Sequence, residues 1–233
     1  MARILALETS TAACSVALWR DSGVVANRFE VIERGHAERL IPMVEEVMTE
    51  AGDGPEDLDL IATTVGPGAF TGIRLGLAAA RALALAADVS CLGLTTTEVL
   101  AAALPNRMAG EIVVAVLDTK RADLYVEVFG VDRRSLHGPA AIATEQLADF
   151  IRDSGCVPGN CVLVGDAQAS CVSVLGEAGW AVHETEIMRP DAAVSAQLAA
   201  ARWSPGDLPP RPTPLYLRPP DAEIPRNGGR LRG

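Results

Sequence analysis

The chain has 233 residues, 49% of them hydrophobic, and a formal net charge of −10. The apolar share supports a full core in one large or two small domains, and the acidic balance excludes a chain that wraps nucleic acid with its own basic surface. Five cysteines, Cys14, Cys91, Cys156, Cys161 and Cys171, form no C-x-x-C pair and have no histidine at zinc spacing, so they read as reduced, buried thiols.

The opening "MARILALETS" has one basic residue and then an acidic one, unlike a secretory signal. The longest apolar run, Leu75 to Ala87, is mostly alanine, is interrupted by Arg81 and falls short of the roughly 20 residues of a membrane span. A cytoplasmic protein without membrane contact is expected. "RILALE", "CSVALW" and "VVANRFE" alternate as three strands of an antiparallel meander, and "HAERLIPMVEEVMTEA" follows as an amphipathic helix. A strand "LIATTV", a helix within "VGPGAFTGIRLGLAAARALAL", a strand "SCLGL" and a helix "TTTEVLAAAL" then alternate, which calls for parallel strands with crossovers. "LPNRMAG" reads as a joint.

Beyond the joint the order recurs. "EIVVAVLD" and "DLYVEVFG" are strands, "SLHGPAAI" reads as loop, and "TEQLADFIRDSG", "AQASCVSVLGEAG" and "DAAVSAQLAAARW" are helices separated by the strands "CVLVG" and "WAVHE". "LALETSTAACSVALW" lines up with "AVLDTKRADLYVEVF", so each half ends its first strand in an acidic residue and a threonine: Glu8 with Thr9, Asp118 with Thr119. The expected division is 1–106, 107–204 and a proline-rich tail, 205–233. That tail holds eight of the fifteen prolines, cannot form helix or central strand, and is expected to be extended or disordered, with "PLYLRPP" pinned to the body and the last eight or so residues loose.

A strand, acidic-Thr turn and strand repeated in two like domains can grip phosphates, the carboxylate holding hydrated magnesium and the hydroxyl and amides holding oxygens. Glu8, Thr9, Asp118 and Thr119 are therefore candidate residual nucleotide-binding residues. The first turn, "ETSTAA", has no glycine to fold flat against a triphosphate, and Lys120 and Arg121 in the second could meet a phosphate as charges but read more readily as solvated surface. His36, His137 and His183 are too far apart to form a metal site, and neither a G-x-S-x-G elbow nor a Cys-His pair is present. No catalytic residue, metal or cofactor is expected.

The segments "ILALETSTAACSVAL", "HAERLIPMVEEVMTEAG", "VGPGAFTGIRLGLAAARALAL", "GLTTTEVLAAAL", "AVLDTKRADLYVEVF" and "PLYLR" together resemble the TsaB (YeaZ) family over nearly the whole chain. Glu8 stands where Asp is usual in that family, and Ala69 where Ser is usual. The resemblance implies an α/β fold of two actin-like (ribonuclease-H-like, ASKHA) subdomains with mixed sheets flanked by helices. It implies a non-catalytic dimerisation subunit that supports a catalytic paralogue, TsaD, in transferring a threonylcarbamoyl group to the tRNA adenosine next to the anticodon, with the ATPase TsaE joining them. A homodimer in the partner's absence, and tRNA reached only through the complex, belong to the same expectation. The paralogue carries an H-x-x-x-H metal motif; here Thr96 and Leu100 occupy those places, and neither can replace an imidazole.

The glycine-rich stretch admits three readings: a phosphate cradle, packing inside the monomer, or a partner surface. The partner surface is the reading taken, with Leu40, Ile41, Val44 and Met48 on the first long helix and Gly72, Gly76, Ala79 and Leu83 on the second; Gly76 is expected to face water in the unbound chain. The rival functions are a small ATP-dependent phosphotransferase of the same fold, which would need glycines in both phosphate turns, and a protease, for which no nucleophile and base pair exists.

Overall fold

A computed structural model describes residues 2–105 and 111–218. Most of the joint, 106–110, and the last fifteen residues, 219–233, lie outside the described residues. The first half runs β1 (Arg3–Thr11), β2 (Ala13–Arg20), β3 (Gly23–Glu30), α1 (His36–Ala51), β4 (Leu60–Thr64), α2 (Phe70–Ala87), β5 (Ser90–Leu94) and α3 (Thr96–Ala102). The second runs β6 (Ile112–Asp118), β7 (Asp123–Phe129), β8 (Ser135–Ala143), α4 (Leu147–Asp153), β9 (Asn160–Val164), α5 (Gln168–Glu177), β10 (Ala181–His183) and α6 (Ala192–Arg202).

The two sheets have the same plan. The first is ordered β3-β2-β1-β4-β5 and the second β8-β7-β6-β9-β10, each with an antiparallel meander on one side of its first strand and parallel strands on the other. These are the two mixed, helix-flanked sheets of an actin-like α/β fold. β8 corrects the loop expected at "SLHGPAAI". Gly138 and Pro139 would interrupt an inner strand, but an edge strand needs hydrogen bonds on one side only, and β8 accommodates them across a register shift opposite Val126 and Val128.

The packing crosses the boundary expected at 106. β1 is apolar on both faces. Leu5 and Leu7 bury against Leu40, Met43 and Val47 of α1 and Ala80 and Ala84 of α2, while Ile4 and Ala6, with Leu60 and Ala62 of β4, bury against Ala192, Ala196 and Ala199 of α6. The helix expected to close the second unit thus covers the first sheet, its alanines letting helix and sheet approach closely. Conversely, Leu100 and Ala101 of α3 bury with Val113, Ala115, Leu117 and Phe129 of the second sheet. Each half lends one helix to the other, so the halves, called lobes below, are interlocked at the joint.

Candidate functional site

A cleft of about 1210 Å³ opens between the lobes, lined by the β1–β2 turn, the start of α1, the start of α2, the β6–β7 turn and the tail at Leu215–Arg218. This is where paired phosphate turns would meet a ligand, and the four expected residues are placed as follows. Glu8 is fully buried and does not line the cleft. Its Oε1 accepts from the Ser10 amide and hydroxyl, each at 2.5 Å, and its Oε2 has no partner among the described residues. Burial pushes its pKa up from 4.5 to about 7 against the pull of those hydrogen bonds. Thr9 donates to the Gly72 carbonyl at 2.8 Å. Thr119 donates to the Asp123 carbonyl at 2.7 Å. Asp118 lines the cleft, but its Oδ2 pairs with Lys120 Nζ at 2.9 Å, and that hydrogen bond holds its carboxyl below the usual range. The four side chains are thus engaged within the chain or buried away from the cleft.

The glycine-rich stretch explains the first turn. The Ala69 amide donates to the Ser10 carbonyl at 2.7 Å, so α2 starts directly against the β1–β2 turn. A Cβ at Gly68 would stand 2.2 Å from the Ser10 carbonyl oxygen, and one at Gly72 would stand 2.0 Å from that of Thr9. Glycine is required there because backbone meets backbone. A Cβ at Gly76 would likewise meet Thr9 Oγ1 at 2.6 Å and Thr63 Oγ1 at 3.3 Å.

The small-residue face expected to receive a partner is therefore corrected: Gly72 and Gly76 are buried on β1 and β4, and Gly76 does not face water. Leu40, Val44 and Met48 are buried in the same core, and Ala79 and Leu83 are packed against it. Of the eight, only Ile41 stands out, at 44% exposure. The solvent side of α2 carries Thr71, Arg74, Ala78, Ala82 and Leu85, the last 84% exposed. Sequence reading took the buried side of α2 for its outer face, because an alanine-rich helix is apolar nearly all round and its pattern does not say which side meets the sheet.

The start of α3 links the lobes through hydroxyls. Thr95 caps the helix, accepting from the Glu98 amide at 3.1 Å while Glu98 accepts from the Thr95 amide at 2.6 Å. Thr96 donates to Ser10 Oγ at 3.0 Å, in the first sheet, and Thr97 donates to Glu127 in the second. Glu127 is 4% exposed, and burial raises its pKa. Thr96 and Leu100 are both fully buried, and no three His, Cys, Asp or Glu side chains gather as a metal set among the described residues.

Sequence reading did not single out the mouth of the cleft. Phe70 and Tyr216 stack with ring centroids 5.3 Å apart, and the Arg74 guanidinium lies 3.8 Å over the Phe70 ring. Tyr216 is 142 residues from Arg74, so no local pattern could have paired them; the only hint was that "PLYLR" kept apolar side chains within a proline-rich tail.

The family model for tRNA N6-adenosine threonylcarbamoyltransferase, TsaD, matches residues 22–200. The tRNA threonylcarbamoyladenosine biosynthesis protein TsaB of Escherichia coli K12 is 31% identical over 219 residues, covering 93% of this chain and 94% of its own length. The crystal structure of a Pseudomonas aeruginosa protein described as similar to the peptidase YeaZ superposes with a TM-score of 0.80 at 29% identity, over 94% of this chain and 100% of its own. A ROK hexokinase from Thermus thermophilus shares the fold at a TM-score of 0.51 and 13% identity, over 84% of this chain and 97% of its own.

Proposed function

The chain belongs to the TsaB (YeaZ) family, and from that premise we propose that it serves tRNA threonylcarbamoyladenosine biosynthesis as the non-catalytic partner of a TsaD-like transferase. The observation that carries the reading is the outer face of α2. Ala78, Ala82 and Leu85 are exposed along one side of an 18-residue helix, with Thr71 and the charge of Arg74 at its N-terminal end, in a chain of net charge −10, and Ile41 of α1 is exposed as well. We read this side of α2 as the interaction surface, because Leu85 is 84% exposed and the small side chains of Ala78 and Ala82 let a partner helix approach closely. The rival reading, a phosphotransferase, is disfavoured by the cleft: Glu8 is withdrawn, Asp118 is engaged by Lys120, and the first turn is filled by the glycine-rich stretch. A TsaE-like ATPase and tRNA join through the catalytic partner, and the same α2 face supports a homodimer when that partner is absent.

The test is co-expression of tagged chain and transferase with Ala78→Glu and Leu85→Glu, separately and together. The variants are expected to keep their melting temperature, lose capture of the transferase, and fail to restore threonylcarbamoyladenosine in tRNA of a strain lacking the native gene. Folded variants that capture the partner and restore the modification would overturn the assignment of this face.

A further inference from the structure

We propose that the C-terminal segment Pro212–Arg218 is a strap that ties the two lobes together across the mouth of the cleft and sets its width. After α6, which packs on the first sheet, the chain runs extended, with Pro205, Pro209, Pro210, Pro212 and Pro214 stiffening it. Its hold on the first lobe is built at three levels. Pro212 is buried against Gly93 of β5, and its carbonyl accepts from the Arg81 guanidinium. The Leu215 amide donates to the Val65 carbonyl at 2.8 Å. Tyr216 stacks on Phe70, and its hydroxyl accepts from Arg74 Nε at 2.8 Å.

Two residues later the strap reaches the second lobe, where Arg218 pairs with Asp123 at the start of β7. The two side chains are only 25% and 21% exposed, so this is no loose surface pair. Asp123 also accepts from Thr119 at 2.6 Å, which anchors the pair to the β6–β7 turn that lines the cleft opposite α2. A chain of two residues spans at most about 7 Å. With Tyr216 fixed on one lobe and Arg218 on the other, the lobes can part by only a few ångströms, on the order of that span, before one contact breaks. The hydroxyl contacts of α3 hold the joint side of the cleft; the strap supplies the tie on the open side.

The experiment is single-molecule energy transfer on the full chain, with dyes introduced by amber suppression at exposed Thr49 of the first lobe and exposed Glu177 of the second. Arg218→Gln is expected to shift the interlobe distance to longer values and broaden it, with far-ultraviolet circular dichroism unchanged. The charge-exchanged pair Asp123→Arg with Arg218→Asp is expected to restore the native distance. A folded Arg218→Gln with the native distribution would overturn the strap. If Arg218→Gln does not fold, the exchanged pair decides: a folded protein at the native distance supports the tie, and failure to recover it overturns the proposal.

Discussion

Glu8→Gln turns the buried carboxyl into a measurable pH dependence. The wild-type carboxyl is raised from 4.5 to about 7 because burial penalises its anion. Between those values the folded chain holds a proton that the unfolded chain releases. The stability this confers is therefore fully present below 4.5, declines as pH rises, and is gone above about 7. At about 1.4 kcal/mol per pH unit, the whole interval is worth roughly 3 kcal/mol, and the side chain is fully buried, so solvent does not discount it. Glutamine keeps an oxygen for the Ser10 amide and hydroxyl but cannot ionise. The check is urea unfolding of both proteins at pH 5 and pH 8. The variant is expected to gain on wild type by roughly 2 to 3 kcal/mol between the two conditions, because only the wild type crosses most of the window. Glu127, whose pKa is raised by burial in the same direction, is present in both proteins and cancels in the difference. A stability difference that does not change with pH would show that Glu8 is ionised in the folded chain throughout, and the burial argument would fail.

Gly76→Glu is expected to abolish folding, since its side chain would displace the Thr9 and Thr63 hydroxyls and bury an unpaired charge; a soluble variant with native melting temperature would refute the packing of α2 on β1. Thr95→Ala is expected to cost about 1 kcal/mol in chemical denaturation by removing the cap of α3, and no loss would show that α3 is held by its tertiary contacts alone. The isolated chain is expected to bind tRNA weakly with a shallow salt dependence, given its net charge of −10. Filter binding across a salt series that returned a steep slope would contradict that.

Periodicity revealed the order and type of nearly every element because each has one strongly patterned face: β1 and β6 as apolar runs, α1 as a stripe through Leu40, Val44 and Val47. It could not say which sheet a helix covers. α3 and α6 carry apolar faces that any sheet could accept, and they cross to the opposite lobes for a reason visible only in three dimensions: β1 and β6 are apolar on both sides and need a second cover. The same limit governed the glycines. A run of small residues signals close approach, but what approaches Gly72 is the Thr9 carbonyl of the same chain, and nothing within the local sequence distinguishes that from a partner's backbone.

The two acidic-Thr turns look alike in sequence and differ in depth, and hairpin register explains why. In the first lobe the β1–β2 ladder continues past Glu8 to pair Thr11 with Ala13, leaving Ala12 alone at the tip. In the second, the ladder ends where Asp118 pairs with Leu124, and residues 119–123 form the turn. Zipping three residues further carries Glu8 below the rim of the cleft, where α2 closes over the turn through the Ala69 to Ser10 and Thr9 to Gly72 hydrogen bonds. Asp118 stays at the rim, within reach of Lys120 Nζ. A cation clamped between paired turns needs both carboxylates facing one space with their charges uncompensated. Here one is withdrawn behind its own hairpin and the other is met by a lysine two residues away. The glycines that let α2 press onto that hairpin bury the inner face of the helix and leave Thr71, Arg74, Ala78, Ala82 and Leu85 on its solvent side.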